Sequence, residues 1–445
     1  RVGQARGAGH GGVEEERRTV DRGMGMSLGL RMLLRARTVL PVSQPSIADG
    51  FVRIKGNRIA EVGEWAGLVD RQGAKDLGEV ILMPGLVNAH CHLEYSDFVG
   101  AIPELGSFAD WIKAIVDLRH DVDDTAHCQS WLRGARQALC HGVTLLGNIE
   151  NRRDLLPELW PQTPLRMVSF LELIVLRAKS DSQREIRAAN DWATVNTPPR
   201  GCVGISPHAP YTTKPDLLEA CAKLTDMPQA MHLGESADED EMFHQGSGAL
   251  YEMMALAGRD MSDCGKHSPL AHAACSGMLS ERLLVIHGNY LNDADIQVLA
   301  DSGASLVHCP RSHQYFNHAA FRFDDLESAG VNICLGTDSL ASIREKKGEL
   351  ELFSEMRLFR ELHPDVPEGN ILEMVGTKSA AALGMKGIVG EIAVGAFADL
   401  TVIPFGGSQG DAETAVIDHV GVVQKVMIDG QWHYPPTSAA TAYGE

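Results

Sequence analysis

The sequence predicts an α/β fold, a TIM-type (β/α)8 barrel carrying a small β domain built from both ends of the chain. Two observations predict the barrel. Apolar runs near 86–92, 143–149, 166–172, 202–206, 229–233, 283–287, 304–308 and 332–337 alternate with stretches of helical spacing, as eight βα units require. The histidines and the aspartate that stand out then fall at the C-terminal ends of those runs, where such barrels carry their reactive groups. A third observation predicts the small domain: short β-like runs broken by turns occur before residue 80 and again after residue 390.

Taken in order, Arg1 to about Met26 is rich in Gly, Arg and Glu and has no apolar period. It reads as a disordered leader or translated upstream sequence over residues 1–27, with Met24 or Met26 as candidate starts. Residues 28–82 and 386–437 form the composite β domain. Its first part contains runs at 36–40, 51–54 and 58–62, the last two joined as a hairpin about Gly56-Asn57. Its second part contains runs at 390–395, 398–403 and 421–428. Residues 83–385 form the barrel.

The barrel opens with Met83-Pro84-Gly85-Leu86-Val87-Asn88-Ala89-His90-Cys91-His92, an apolar run ending in two histidines at i, i+2. On a strand that spacing puts both imidazoles on one face, a pair suited to a first-row metal when further ligands arrive from elsewhere. His208 follows the fourth run, His232 closes the fifth, His287 the sixth and His308 the seventh, and Asp338 follows the eighth.

His90, His92, His232 and Asp338 make a mixed N/O set that suits one divalent ion, Zn²⁺ foremost, with Fe²⁺ or Mn²⁺ as alternatives. A water on such an ion titrates near ~7. Asp338 can bind the metal and take the water's proton. Glu235 can donate a proton to a ring nitrogen or leaving group, and His287 can hydrogen-bond the nucleophile or the developing oxyanion. Each has a bland alternative: His232 with Glu235 as a solvated loop pair, His287 as a satisfied core histidine, Asp338 as a helix cap. Their coincidence in strand order favours a site. Arg311 is a candidate clamp for a substrate carboxylate, Trp111 a candidate pocket wall, and His308 and His313 weaker candidates for facing the substrate.

Composition narrows the class. The 445 residues are 44% hydrophobic and 22% charged, values typical of a globular protein with a large core. A formal net charge of −19 without a basic run argues against a nucleic-acid or anionic-membrane partner and for a small-molecule substrate. Nine cysteines without a C-x-x-C pair fit reduced thiols in a cytoplasmic protein. No apolar run reaches spanning length.

These motifs resemble the amidohydrolase superfamily, in its cytosine-deaminase-like and chlorohydrolase-like branch, over roughly residues 30 to 430. They are Pro84 to His92, Pro207-His208-Ala209-Pro210-Tyr211-Thr212, His232-Leu233-Gly234-Glu235, Leu335-Gly336-Thr337-Asp338 and Ala396-Phe397-Ala398-Asp399-Leu400. The resemblance implies a distorted (β/α)8 barrel with a small β-sandwich domain, one metal ion and attack by metal-bound hydroxide. The absence of a lysine near the ends of the third and fourth runs also favours a single metal.

Within the branch, His92-Leu93-Glu94-Tyr95-Ser96, Ser107-Phe108 with Trp111, and Cys309-Pro310-Arg311-Ser312 resemble aminodeoxyfutalosine deaminases, with S-adenosylhomocysteine and methylthioadenosine deaminases next. That likeness implies deamination of an adenine nucleoside, with His208 on the purine, Ser342 near the ribose and Arg152 or Arg153 on a substrate carboxylate. His313, Tyr315 and Ser339 depart from the pattern, standing where Asn, a small apolar residue and Gly are expected. Rival readings are hydrolysis of a cyclic amide or chloro-substituted ring at the same site, and a non-catalytic barrel assembly protein. Many members are homo-oligomers, although no apolar pattern in this chain points to an interface.

Overall fold

The computed structural model describes residues 31–177 and 179–435; the leader read over residues 1–27 lies outside the described residues. The strands are β1 (Arg31–Val39), β2 (Ile47–Lys55), β3 (Arg58–Glu64), β4 (Ala74–Asp76), β5 (Val80–Pro84), β6 (Leu86–Cys91), β7 (Val143–Glu150), β8 (Arg166–Leu173), β9 (Gly201–Pro207), β10 (Gln229–Leu233), β11 (Leu283–His287), β12 (Ser305–His308), β13 (Asn332–Leu335), β14 (Leu400–Pro404), β15 (Lys425–Ile428) and β16 (Gln431–Tyr434).

Strands β6 to β13 form a parallel barrel in sequence order, with helices in the connections. Nearly every residue of these strands is buried, which is why they read as apolar runs rather than alternating ones. Val87, Ala89, Leu145, Val168, Phe170 and Ile286 fill the interior, and Ala380, Leu383 and Val389 pack against them. The ring closes where the Thr337 and Asp338 amides donate to the His90 carbonyl at 3.0 and 3.1 Å. Between β9 and β10 the ladder holds only the pair Gln229 and Ile205, and the closure past β13 rests on a single bridge between Cys91 and Asp338. The barrel is distorted at these two seams.

Both ends of the chain meet in the small domain, a mixed sheet in the order β16-β15-β14-β5-β1-β2-β3, with β4 also on β1. Gly56, at φ +63°, turns the β2–β3 hairpin; such left-handed geometry suits glycine. The run 390–395, expected as a strand, is instead a loop held by Ile392 N to Pro41 O at 3.1 Å and Gly395 N to Ile59 O at 2.9 Å. Gly390 and Gly395 sit at φ +78° and +95°, outside the extended region a strand needs. Strands β4, β5 and β16 were not anticipated.

The chain crosses from one sheet to the other at Pro84-Gly85. Met83 to His92 is therefore two strands in two different sheets. A Cβ on Gly85 would lie 2.2 Å from two atoms of the Thr144 side chain, so close packing admits only glycine at the crossing. On the far side, β6 slips register against β7 between Leu86 and Val87 and again between Asn88 and Cys91. Irregularities of this kind re-aim side chains, and here they adjoin the His90/His92 pair.

A buried ion pair joins the two units. Arg166 Nε donates to Asp399 Oδ2 at 2.5 Å, Arg166 also pairs with Asp429, and Arg200 Nε donates to Asp429 Oδ2 at 2.6 Å. The Arg166 and Arg58 guanidinium carbons each lie 3.6 Å from the centre of the Phe397 ring. The tail motif Ala396–Leu400 thus fastens the small domain to the first residue of β8.

Candidate active site

The C-terminal ends of the barrel strands bring together the residues singled out in the sequence. His90, His92 and His232 offer ring nitrogens within 4.8 Å of one another, as do His90, His287 and Asp338 with their ligand atoms. His90 Nε2 and His92 Nε2 lie 3.5 and 3.7 Å from Asp338 Oδ1. The His232 Nδ1 bonds the His208 carbonyl at 3.0 Å, which fixes the tautomer and frees Nε2 for the site.

Two of these residues have strained backbones. His287 and Asp338 have φ of +74° and +52°, a region non-glycine residues rarely occupy and one that clusters at functional sites. Asp338 is further fixed through Oδ2, which accepts from Ser312 Oγ at 2.6 Å and Ser342 Oγ at 3.3 Å. Oδ1 is left toward the two histidines.

The electrostatics suit a metal. His90 Nε2 and His287 Nε2 are buried and have no hydrogen-bond partner among the described residues. Burial lowers the pKa of His90 and His232 and takes His287 to about 3, so these imidazoles are neutral, as ligation or hydrogen-bond donation requires. Burial opposes ionisation of Asp338, but His90, His287 and His92 around it hold its carboxyl well below the usual range. The imidazoles of His90, His92 and His232 beside the Asp338 carboxylate are a donor set that fits Zn²⁺.

Glu235 sits just past β10, with Oε1 3.4 Å from His287 Nε2. Burial, then the charges of Asp338 and Glu239, push its pKa well above the ordinary carboxyl value, which favours its protonated form. Its position is set by backbone contacts: its amide donates to Glu239 Oε2 at 2.8 Å, and its carbonyl accepts from Asn289 Nδ2 at 3.0 Å. His313 Nδ1 lies 3.0 Å from Asn289 Oδ1. Sequence reasoning missed Ser312, Asn289 and Glu239 in these roles, because hydroxyl, amide and acidic residues near loops carry no distinguishing spacing.

The remaining candidates separate. His208 lies at the site, its ring 4.9 Å from that of His232, with Nδ1 2.7 Å from Thr212 Oγ1. Trp111 stacks on Phe108 and lines, with Ser236, Tyr290 and His318, a cavity of about 210 Å³.

Arg311, expected to clamp a substrate carboxylate, faces Glu355 instead. It donates through Nε at 2.6 Å and through its backbone amide at 2.9 Å, with both side chains buried. Ser342, expected near a ribose, is fully buried against Asp338 and Ser339. His308 is buried, its ring stacked 3.9 Å from Phe321 and 5.1 Å from the ring of His313. A larger cavity of about 450 Å³ opens past β7 and β8 and is lined by Glu150, Asn151, Arg152, Arg153, Glu172 and Val175 among others.

Among the described residues no helix is long and apolar enough to cross a membrane. Comparison with known proteins agrees with the barrel. A curated 5-methylthioadenosine/S-adenosylhomocysteine deaminase of Syntrophobacter fumaroxidans is 27% identical over 390 residues, 80% of each chain. A Helicobacter pylori aminofutalosine deaminase in complex with methylthio-coformycin superposes with a TM-score of 0.79 at 20% identity, covering 90% of this chain and 99% of that one. A Xanthomonas campestris adenosine deaminase with bound zinc gives 0.76 at 24% identity, covering 90% and 92%. The profile of the amidohydrolase family matches residues 81–433, most of the chain and the whole of the barrel, and on that match the chain belongs to the amidohydrolase family.

Proposed function

We propose that the chain is a metal-dependent aminohydrolase that removes ammonia from the amino-bearing ring of an adenine nucleoside, such as aminodeoxyfutalosine or methylthioadenosine. The observation that carries this reading is that two carboxyl groups converge on one imidazole nitrogen: Glu235 Oε1 lies 3.4 Å and Asp338 Oδ2 4.0 Å from His287 Nε2, with Glu235 pushed toward its protonated form and Asp338 toward its ionised one. Replacing an amine by water on an aromatic ring needs both: a donor for the ring nitrogen and an acceptor for the water's proton.

His90, His92, His232 and Asp338 would hold one divalent ion, Zn²⁺ foremost. Bound there, it would supply the acidity that makes water nucleophilic at neutral pH. The chain's own residues do the rest. Glu235 protonates the ring nitrogen next to the attacked carbon. Asp338 takes a proton from the incoming water and returns it to the departing amine, so that ammonia leaves, and the water's second proton restores Glu235 as the carbonyl forms. Neutral His287 holds the incoming oxygen by a hydrogen bond. The aromatic wall of Phe108, Trp111 and Phe316 flanks the 210 Å³ cavity, where it can cover the ring and exclude water.

Arg152 is held by Asp124 at 2.8 Å and the Val122 carbonyl at 2.6 Å. The Arg153 side chain has no hydrogen bond or ion pair among the described residues and lines the larger cavity. Of the two it is the better placed for a substrate carboxylate. The names and ligands of the similar proteins support the nucleoside reading.

The test is ammonia release from adenine nucleosides, cytosine, guanine and triazines by metal-quantified protein. Release from adenosine-type compounds alone supports the reading. With metal bound, no ammonia from any of them overturns it.

A further inference from the structure

Glu172, the penultimate residue of β8, is used by nothing in the mechanism above. Its side chain is 5% exposed, and the polar groups nearest to it among the described residues stand at the long edge of hydrogen-bond reach. Arg119 Nη2 stands 3.6 Å from one oxygen and His208 Nε2 3.9 Å from the other. Arg119 comes from the helix Phe108–His120, whose N-terminal end also supplies Phe108 and Trp111. Despite burial, His208, Arg119 and His92 hold the carboxyl below its usual pKa, so it is an acceptor only. A buried carboxylate can accept about four hydrogen bonds, and leaving that capacity unmet is costly.

The side chain lines the 450 Å³ cavity, so a ligand there can supply the missing donors. The neighbours decide which donor. Arg119 already balances the charge of Glu172, so a cationic group is not required. The negative charge of Glu172 itself disfavours an anion at this spot. That leaves a neutral hydroxyl. His208, whose Nδ1 is fixed by Thr212 at 2.7 Å, presents Nε2 beside Glu172, and together the two groups can meet the paired oxygens of a vicinal diol.

We infer that Glu172, held by Arg119, is a specificity residue that accepts hydrogen bonds from the sugar hydroxyls of the nucleoside and selects ribosides over deoxyribosides. The inference rests on the adenine-nucleoside reading of the site. Discrimination arises because a deoxy substrate leaves the buried carboxylate unpaired, and the loss of a hydrogen bond to a charged group corresponds to roughly 10- to 100-fold in kcat/KM.

The experiment measures kcat and KM of the zinc-loaded full chain with adenosine and methylthioadenosine, each against its 2′-deoxy and 3′-deoxy counterpart, for wild type, Glu172→Gln and Arg119→Gln. The expected result is a wild-type preference of roughly 10-fold or more, falling to within about threefold in Glu172→Gln. The loss should lie mainly in KM for the ribosides, with zinc content unchanged. Arg119→Gln should move the ratio the same way by a smaller factor, and serves if Glu172→Gln does not fold.

An equal wild-type rate on ribosides and deoxyribosides, or an undiminished preference in Glu172→Gln, overturns the inference and leaves the deaminase reading standing. Ammonia from none of the nucleosides overturns the deaminase reading and the inference with it.

Discussion

Ser312 Oγ donates to Asp338 Oδ2 at 2.6 Å, and both residues are buried. The helix Pro310–Phe316 thereby sets the rotation of a carboxylate whose other oxygen faces His90 and His92. Such outer partners of a ligand are worth about 10- to 100-fold in metal affinity or rate. Ser312→Ala should therefore lower kcat by about tenfold and weaken zinc retention while the fold stays intact. Stopped-flow chelator competition beside steady-state kinetics checks both halves.

Glu235→Gln should keep the metal and lose turnover by about 10²- to 10⁴-fold, since the amide preserves the shape of the side chain but carries no transferable proton. Zinc quantified per chain, measured together with ammonia release, decides the matter. Unchanged turnover at full zinc occupancy would remove Glu235 from the proton path.

The Arg311–Glu355 pair is buried on both sides, so removing one partner strands a charge at a cost of about 3–5 kcal/mol. Arg311→Met should lower thermal stability sharply, and adding Glu355→Met should recover much of the loss. A double-mutant cycle on denaturant midpoints reads the coupling directly. A substrate clamp would behave differently, giving a stable Arg311→Met protein with only KM raised.

Glu150 is buried against Trp131 Nε1 at 3.1 Å and Ser169 Oγ at 3.2 Å, and burial, then Glu94, raise its pKa to about 8. Between the ordinary carboxyl value and about 8 the folded state binds a proton that the unfolded chain has released, so this residue's contribution to stability falls as pH rises through that window. Glu150→Gln removes the titration and keeps the shape. The variant should gain on wild type as pH rises from 5 to 8.5, and melting curves across that range should show the gap widening. Parallel curves would place the titration elsewhere.

Much of the barrel was legible because parallel strands buried on both faces leave continuous apolar runs, and each run ends where chemistry begins. The His90/His92 spacing, with His232, Asp338 and Glu235 in strand order, followed from that. What the sequence could not show is which polar groups satisfy each other. Arg311 and Ser342 had the right chemistry and lay on the right loops, but Glu355 and Asp338 already engage them, and those pairings span 44 and 4 residues. The 390–395 run failed for another reason: alternating apolar residues mimic a strand, while two left-handed glycines forbid one. β5 was hidden inside an apolar run shared with β6, since nothing but Gly85 marks the change of sheet.

The position of β5 has a consequence for how the chain reaches its native state. It pairs with β1 on one side and with β14 on the other, and β14 is made only after every barrel strand. A nascent chain therefore emerges with one edge of β5 unpaired, an open template for another chain to add to. The barrel begins at the next residues, Gly85 and Leu86, so its first strand stays tethered to an unfinished sheet throughout synthesis. Truncation before β14 should leave a protein that contains every candidate catalytic residue and still aggregates.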